Sequence, residues 1–347
     1  MSISQMSKQE LFAQLPPKKN QYVDLTKVDY SSQISSTAPE ILKKTGEIEV
    51  DEVSSAEDNR ISRSKTSAFV DFTATKGIRI NIPKNAEANI ELRSNVNGRN
   101  AERNIIVLEE NSKATITWEI AGNGFLASST DFVLKSGSEL NLNEIQDLSE
   151  ESTILNHHEA RLKKDSKLKW TVVTLGSRMQ SAERHMQLLE QGAEARLVEV
   201  FFGNRSQLFD HNLTMNHKSP NTYGNVLSKG ILKDSARNVF FGLIKIDEGA
   251  QKTNSFLAQH AMLMSENAIC NSVPSLEIAA NDVKASHSAS AGQIDAEQIF
   301  YLTSRGIPEA EARKMIAQGF LDPAFARIPS DEIKERLRLR VEQKWSD

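Results

Sequence analysis

The sequence predicts a mainly β protein built as a parallel β-helix, or solenoid, with a small helical domain at its C-terminus. Three observations lead to this prediction. Short runs of alternating apolar and polar residues, typical of half-buried strands, begin near Ala68. A strand-and-turn phrase then recurs at a nearly constant spacing, which is the pattern of a repeat protein. Beyond Ile294 the alternation gives way to the periodicity of short amphipathic helices.

The recurring phrase begins with Asn, Gly or Asp, continues with Ala or Ser, and ends in alternating polar and apolar residues. Its small second residues are Ala86, Ser112, Ser138, Ser166 and Ala193, separated by 26, 26, 28 and 27 positions. Asn, Gly and Asp accept the left-handed backbone that a tight corner requires, and the alternating tail forms the next strand. We therefore expect the five small residues to stack at one corner of successive coils. A β-sandwich is the alternative, but it gives no reason for so constant a step.

Two later versions of the phrase, "DSARNVFF" and "GAQKTNSF", place their small residues at Ser235 and Ala250, a much shorter step than the others. The short runs "SAFVDF" and "GIRINI" near the start of the repeats are interpreted as strands. The chain is thus divided into a polar N-terminal region that is partly helical or irregular (1–66), a β-helix (67–294) and a helical domain (295–347).

The boundaries of the outlying helices follow from capping residues. A short helix is expected around Lys8–Gln14 in the N-terminal region. Near the C-terminus, Asp295 is a helix N-cap, Gly306 ends that helix, and Gly319 is expected to end the next one. Helices in this position either cap the end of the solenoid, bind a partner, or do both.

Composition narrows the function classes. The chain of 347 residues has a net charge of −4, which argues against nucleic acid as a partner. A single cysteine, Cys270, cannot form an internal disulfide, and no stretch of 18 apolar residues occurs, so a cytoplasmic protein without membrane contact is expected. The phosphate-binding, dinucleotide-binding and zinc-binding motifs GxxxxGK[ST], GxGxxG, CxxC and HExxH are all missing. No enzyme class is indicated.

Three sites carry residue types with chemical potential. His287 stands between two serines at the end of a predicted strand, and it can bind iron only if other donors, such as those of another subunit, complete the site. The alternative is a histidine hydrogen-bonded to its neighbouring serines. His157 and His158 would point to opposite faces of a strand, so at most one points inward, and they are interpreted as solvated histidines in preference to metal ligands. Cys270, among apolar neighbours, is interpreted as a small buried side chain.

Two phrases, "SKGILKDSARNVFFGLIKIDEGAQKTNSF" and "PSLEIAANDVKASHSASAGQIDAEQIFYLTSRGI", carry a further clue. The stretch 207–320 that contains them resembles the SufB/SufD family of iron–sulfur cluster assembly proteins. The resemblance implies a right-handed parallel β-helix followed by a small helical domain, in agreement with the repeat pattern.

Within that family the chain is similar to the SufD side. SufB-like members have glutamates at the positions of Ser286 and Ser288 and a cysteine at the position of Ala268. Cys270 is two positions away and inherits no role. Ala285 stands where SufD-like members often have a further cysteine. Only His287 matches, and the resemblance implies that it lies near the SufB–SufD interface as a metal ligand shared with the partner subunit.

The resemblance implies a non-catalytic scaffold subunit that pairs through its β-helix with a SufB-like subunit or with itself. Such a chain holds no permanent cofactor, and a transient iron–sulfur cluster forms at the shared interface. A SufC-like ABC-type ATPase is expected to bind the C-terminal helices, where Phe300, Ile307, Met315 and Phe320 are apolar anchors. Two alternatives stay open: a SufB-like homodimeric cluster scaffold, and a β-helical polysaccharide-acting enzyme.

Overall fold

The computed structural model of the protein describes residues 13–15, 18, 23–53, 64–326 and 331–346. The helix expected around Lys8–Gln14 lies almost entirely outside the described residues. No helix in the described part of the chain is long and apolar enough to cross a membrane.

The protein is mainly β, and its parallel strands form a solenoid with two sheets that face each other across one core, as predicted. Sheet A contains β4 (Ile78–Ile82), the second halves of β5 (Glu87–Leu108) and β6 (Lys113–Leu134), β8 (Thr153–Leu162), β10 (Met179–Leu188), β12 (Leu208–His217), β14 (Arg237–Ile246) and β16 (Ile269–Ile278). Sheet B contains the first halves of β5 and β6, then β7 (Glu139–Leu148), β9 (Lys167–Thr174), β11 (Glu194–Gly203), β13 (Tyr223–Leu232), β15 (Asn254–Leu263) and β17 (Lys284–Gln293). Each coil contributes one segment to each sheet.

The corner predicted from the repeat is confirmed. Each of the five small residues directly precedes the sheet B segment of its coil, and those segments pair in register, so the small residues stack. The residue before each small residue has a positive φ, between 55° and 75°: Asn85, Asn111, Gly137, Asp165 and Gly192. Asn, Asp and Gly are the residues that adopt this left-handed conformation at least cost.

The two late versions of the phrase belong to different corners. "DSARNVFF" leads into β14 of sheet A, and "GAQKTNSF" leads into β15 of sheet B, half a coil later. This half-coil offset explains their short spacing. The coils also lengthen along the chain, because the step from Glu87 to its partner Lys113 is shorter than the step from Arg237 to its partner Ile269.

The interpretation of "SAFVDF" as a strand was wrong. These residues lie in helix α1 (Lys65–Thr73), which Ser64 caps by accepting a hydrogen bond from the Ser67 backbone while the Ser67 hydroxyl accepts one from the Ser64 backbone. Such a capping box favours helix over strand. Phe69 and Val70 of α1 pack on the outer face of sheet A. "GIRINI" forms β4, as predicted.

The N-terminal region also contributes elements that the sequence did not indicate. A 3-10 helix (Leu25–Lys27) packs against Val239 on sheet A. The short strand β1 (Ser35–Ser36) and the antiparallel strands β2 (Glu40–Gly46) and β3 (Glu49–Glu52) follow it. Strand β2 pairs with β5 and β3 pairs with β4, so they cover the first coil of the solenoid.

Three C-terminal helices follow the last strand: α2 (Ala296–Thr303), α3 (Glu309–Phe325) and α4 (Asp331–Ser346). Asp295 caps α2 and Gly306, with φ +85°, follows it, as predicted. The expected helix end at Gly319 was wrong, because α3 continues to Phe325. Its last turns bury Leu321 and Phe325 against sheet B, and this burial outweighs the cost of about 1 kcal/mol for a glycine inside a helix.

Helices α3 and α4 do not cap the end of the solenoid. Helices α3 and α4 lie on the outer face of sheet B, over the middle coils. Their apolar residues pack on strands β7, β9, β11 and β13 through Ile145, Val173, Val198, Val200, Phe202 and Ile231. The last coil, formed by β16 and β17, is therefore left without a covering element in the described part of the chain.

Candidate functional site

His287 lies on β17, the last strand of sheet B. It follows a ladder of stacked residues, Leu197, Val226 and Leu257, which are all buried in the core. His287 itself is exposed, because no further coil covers it in the described chain. The imidazole thus occupies an inward position at the open end of the core, where another molecule can approach it. The flanking Ser286 and Ser288 are exposed as well.

Cys270 lies on the other strand of this coil, β16, and it is more deeply placed. Its Sγ is 3.5 Å from Nδ2 of Asn238 and 3.5 Å from Nε2 of Gln259, both of which are buried amides. Burial raises the pKa of the Cys270 thiol although both amides donate hydrogen bonds to the sulfur. A thiol with a raised pKa is a weak nucleophile and a weak metal ligand at neutral pH. This environment does not favour Cys270 as a metal ligand at neutral pH.

A network of charged side chains fills the middle of the core, and the sequence analysis missed it. Arg184 Nη1 is 3.0 Å from Glu199 Oε1, and Arg184 Nη2 is 3.8 Å from Glu144 Oε1. His211 Nδ1 lies 3.1 Å from Glu199 Oε2, which also accepts a hydrogen bond from the Ser228 hydroxyl. All five side chains are buried. The sequence signal that could have revealed them is that these polar residues occupy inward-facing positions in the alternating pattern of their strands.

The ionisation of this network follows from its geometry. Burial alone would raise the pKa of Glu199, but His211 and Arg184 outweigh burial and lower that pKa to about 2. Glu144 is further from Arg184, and burial raises its pKa. Glu199 is therefore the ionised partner of Arg184, and the pair is closed off from solvent within the solenoid.

The histidine pair is also buried, so its interpretation as solvated was wrong. His158 points into the core, where its ring centroid lies 5.3 Å from that of Trp170 and 6.0 Å from that of Phe132. Burial lowers the pKa of His158 well below its usual value. His157 points to the outer face of sheet A, where the chain covers it. Alternation placed the two side chains on opposite faces correctly, but both faces are covered.

The four apolar anchors on the C-terminal helices differ in exposure. Phe300 on α2 is 73% exposed and Met315 on α3 is 43% exposed, and the exposed Tyr301 follows Phe300 in sequence. Ile307, between the helices, is half-buried. Phe320 is half-buried against sheet B, and the ammonium of Lys229 lies 4.4 Å from its ring centroid.

Residues 92–320 match the family model described as SUF system FeS cluster assembly, SufBD core domain. An iron–sulfur cluster assembly SufBD family protein of Mycobacterium tuberculosis (strain H37Rv) is 32% identical over 243 residues, which cover 68% of this chain and 61% of that protein. The iron–sulfur cluster assembly protein SufD of Bacillus subtilis is 32% identical over 193 residues, covering 56% of this chain and 44% of that protein.

A SufBD family protein of Staphylococcus epidermidis is 24% identical over 286 residues, with 80% of this chain and 62% of that protein covered. The matches to these relatives thus extend over no more than about three fifths of their length. The matched family model takes in both phrases that carried the resemblance, the coils from β5 onward, and helices α2 and most of α3. With about two thirds of its residues inside that model, the chain belongs to the SufBD family of iron–sulfur cluster assembly proteins.

Proposed function

We propose that the protein is a non-catalytic scaffold subunit that assembles iron–sulfur clusters together with a SufB-like subunit and a SufC-like ATPase. The family assignment supports the process, and the relative named SufD supports the SufD-like role. One observation carries the proposal: an exposed histidine occupies an inward position at the uncovered end of the core. The family assignment gives the polysaccharide-enzyme alternative no support.

The end of the solenoid is suited to a partner of the same architecture. In the described chain β17 pairs only with β15 and β16 only with β14, so each presents one edge without a strand partner. Ile278 continues the buried ladder of Leu188, His217 and Ile246, yet it is 42% exposed. Long strand edges without a cover favour association, because their backbone N–H and C=O groups can pair with another chain. The coil of a second subunit would pair with these edges and bury Ile278.

Cluster assembly would then take place where the two subunits meet. His287 supplies one imidazole nitrogen, and iron accepts additional cysteine or glutamate ligands from the opposing subunit. The cluster is the product of the complex rather than a resident group of this chain. The alternative, a SufB-like homodimer that holds the cluster alone, is less favoured, because the half-buried Cys270 thiol has a raised pKa and is a weak metal ligand at neutral pH.

The SufC-like ATPase would dock on helices α2 and α3. Phe300, Tyr301 and Met315 are large apolar side chains that the chain itself leaves exposed, which is unusual unless a partner covers them. Ile307 lies between the two helices and would support their arrangement, and Phe320 would act indirectly by fixing α3 on sheet B. Force generated by ATP hydrolysis on the partner would reach the solenoid through this packed interface.

Co-expression with the SufB-like and SufC-like proteins of the same organism, followed by affinity purification through the SufB-like subunit, tests the proposal. We expect the wild-type chain to co-purify with both. The double variant Phe300→Asp and Met315→Asp should keep the SufB-like subunit and lose the ATPase. Leu339→Asp, at an exposed apolar residue on α4, is the matched control and should keep both partners.

Purification of the wild-type chain as a homodimer that carries iron and sulfide alone would contradict the heteromeric scaffold and favour the SufB-like alternative. Retention of the ATPase by the double variant would instead reject the α2–α3 surface and leave the pairing of the solenoids standing.

A further inference from the structure

Three potential metal ligands converge on the outer face of sheet A, away from the terminal coil. His157 on β8 pairs in register with Glu183 on the next coil's strand β10, and His185 follows Glu183 by two positions. Residues in register on neighbouring strands, and residues two apart on one strand, project from the same face of a sheet. The three side chains are therefore neighbours by the construction of the solenoid, although a full coil separates the two strands in sequence.

The distances among these side chains suit a shared ion. His157 Nδ1 lies 2.9 Å from Glu183 Oε2, and the ring centroids of His157 and His185 are 5.3 Å apart. One ligand atom from each of the three residues can be chosen so that all lie within 4.8 Å of one another. Ligand atoms that bind one first-row metal, each at about 2.0–2.2 Å, lie at similar or somewhat shorter distances from one another. Small side-chain rotations would therefore bring these three ligand atoms to bonding distance of one ion.

The surroundings give this cluster both support and access. The His157 ring is buried, so its position is fixed by the surrounding side chains. The hydroxyl of Ser64, the N-cap of α1, donates a hydrogen bond to the Glu183 carboxylate. Glu183 and His185 also line one end of a groove of about 460 Å³, whose walls include Asn212, Thr214 and Phe241. The cluster thus has a rigid inner side and an outer side that a small molecule or water can reach.

We propose that His157, Glu183 and His185 bind one divalent first-row transition-metal ion, with its remaining coordination position open to the groove. Two imidazole nitrogens and one carboxylate oxygen suit Zn²⁺, Fe²⁺ or Co²⁺, whereas Mg²⁺ and Ca²⁺ prefer ligand sets made of oxygen alone. Three protein ligands with one open position are typical of sites that bind an exchangeable ligand rather than of closed structural sites. The site is separate from the shared interface at His287 and needs no partner subunit.

Equilibrium dialysis of the untagged, chelator-treated full chain against Zn²⁺, with elemental analysis of the bound metal, tests the site. We expect one tightly bound Zn²⁺ per wild-type chain, and no comparable uptake of Mg²⁺. Glu183→Gln keeps the side-chain size, and its amide oxygen can still accept the hydrogen bond from His157. His185→Gln removes the second imidazole and leaves the buried His157 in place. Each should weaken Zn²⁺ binding by at least about tenfold, since even the loss of groups that only orient a ligand costs that much.

His260→Gln is the matched control, because His260 is a half-buried strand histidine that is hydrogen-bonded to Ser290 on the outer face of sheet B. It should bind Zn²⁺ as the wild type does, and circular dichroism should show the same β content for all variants. The proposal is overturned if the wild type shows no stoichiometric Zn²⁺ binding, or if both cluster variants bind with wild-type affinity. In that case the His157–Glu183 pair serves only as a buried hydrogen bond.

Discussion

A few charged side chains are buried together in the core of the solenoid. Arg184 is held between Glu144 and Glu199, and neither carboxylate has access to water. A buried ion pair gains little over an apolar pair of similar volume, but breaking one by removing a single partner leaves an uncompensated charge in the core. The network is therefore sensitive to single substitutions at its centre.

Arg184→Met should lower the free energy of unfolding by roughly 3–5 kcal/mol, because buried Glu199 and Glu144 both lose the guanidinium and only His211 is left beside Glu199. Urea denaturation measures this loss. Arg196→Met is the control, since Arg196 pairs with Glu194 at the surface and an exposed pair contributes no more than about 1 kcal/mol. Equal losses for the two variants would mean that the buried network carries no special weight.

His217 should make stability dependent on pH. Its Nδ1 is 2.8 Å from the Thr222 hydroxyl and its Nε2 is 2.9 Å from the Ser255 hydroxyl, and burial lowers its pKa to about 4. The unfolded chain takes up the proton near pH 6.5, before the folded chain does. The contribution of His217 is therefore complete above pH 6.5 and is lost as the pH falls toward 4, by roughly 3 kcal/mol in total.

The unfolding free energy of the wild type and of His217→Gln, measured between pH 7 and pH 4, tests this sign. The variant should lose less stability over that interval, because it has no imidazole to protonate in the unfolded state. Parallel curves for the two proteins would show that His217 does not titrate differently on folding.

The corner residues of the coils could be predicted from sequence, but the elements that cover the outer faces of the sheets could not. The corner residues from Asn85 to Gly192 could be found from sequence because Asn, Gly and Asp adopt the left-handed backbone that the corner requires. Before β15 this rule fails, since the left-handed residue is Lys252 and not Gly249 of the repeated phrase. "SAFVDF" was misassigned because so short a run fits both alternation and a helical turn. The capping box at Ser64 and Ser67 decides for helix, and the short pattern could not outweigh it.

Asn111→Val tests the corner directly. A β-branched residue at φ 58° should cost about 1–2 kcal/mol of stability, and thermal or urea unfolding can detect this. Asn89→Val is the matched control, since Asn89 is exposed on strand β5, where valine is favoured. An Asn111→Val protein as stable as the control would remove the physical basis given for the repeat.

For the whole molecule, the sequence predicted the solenoid but not how its surfaces are covered. Strands β9 and β11 carry apolar residues on both faces, with Val172 and Leu197 inside the solenoid and Val173 and Val200 on the outer face. Such a pattern does not say which element covers the outer face. The structure places α3 and α4 there. The His157–Glu183–His185 cluster was likewise hidden, because it depends on the register between coils rather than on spacing within a motif.

The site at His287 could be named from sequence only through family resemblance, since a lone histidine between serines has no chemical signal of its own. The proposed role of His287 depends on where the fold places it. His287 continues the ladder Leu197, Val226 and Leu257 out of the core, and helices α3 and α4, which were expected as a possible cap, lie on the outer face of sheet B. An open end of this kind, in a chain of the SufBD family, is the central feature of the proposed function.

The most direct test is the iron and acid-labile sulfide content of the anaerobically purified complex with the SufB-like and SufC-like proteins, compared at equal subunit ratios. His287→Ala removes the proposed iron ligand at an exposed position without opening a core cavity, so the complex should form normally while its iron and sulfide fall severalfold. Ser286→Ala, the exposed neighbour, should load as the wild type does. Equal iron and sulfide in the His287→Ala and wild-type complexes would contradict the shared site.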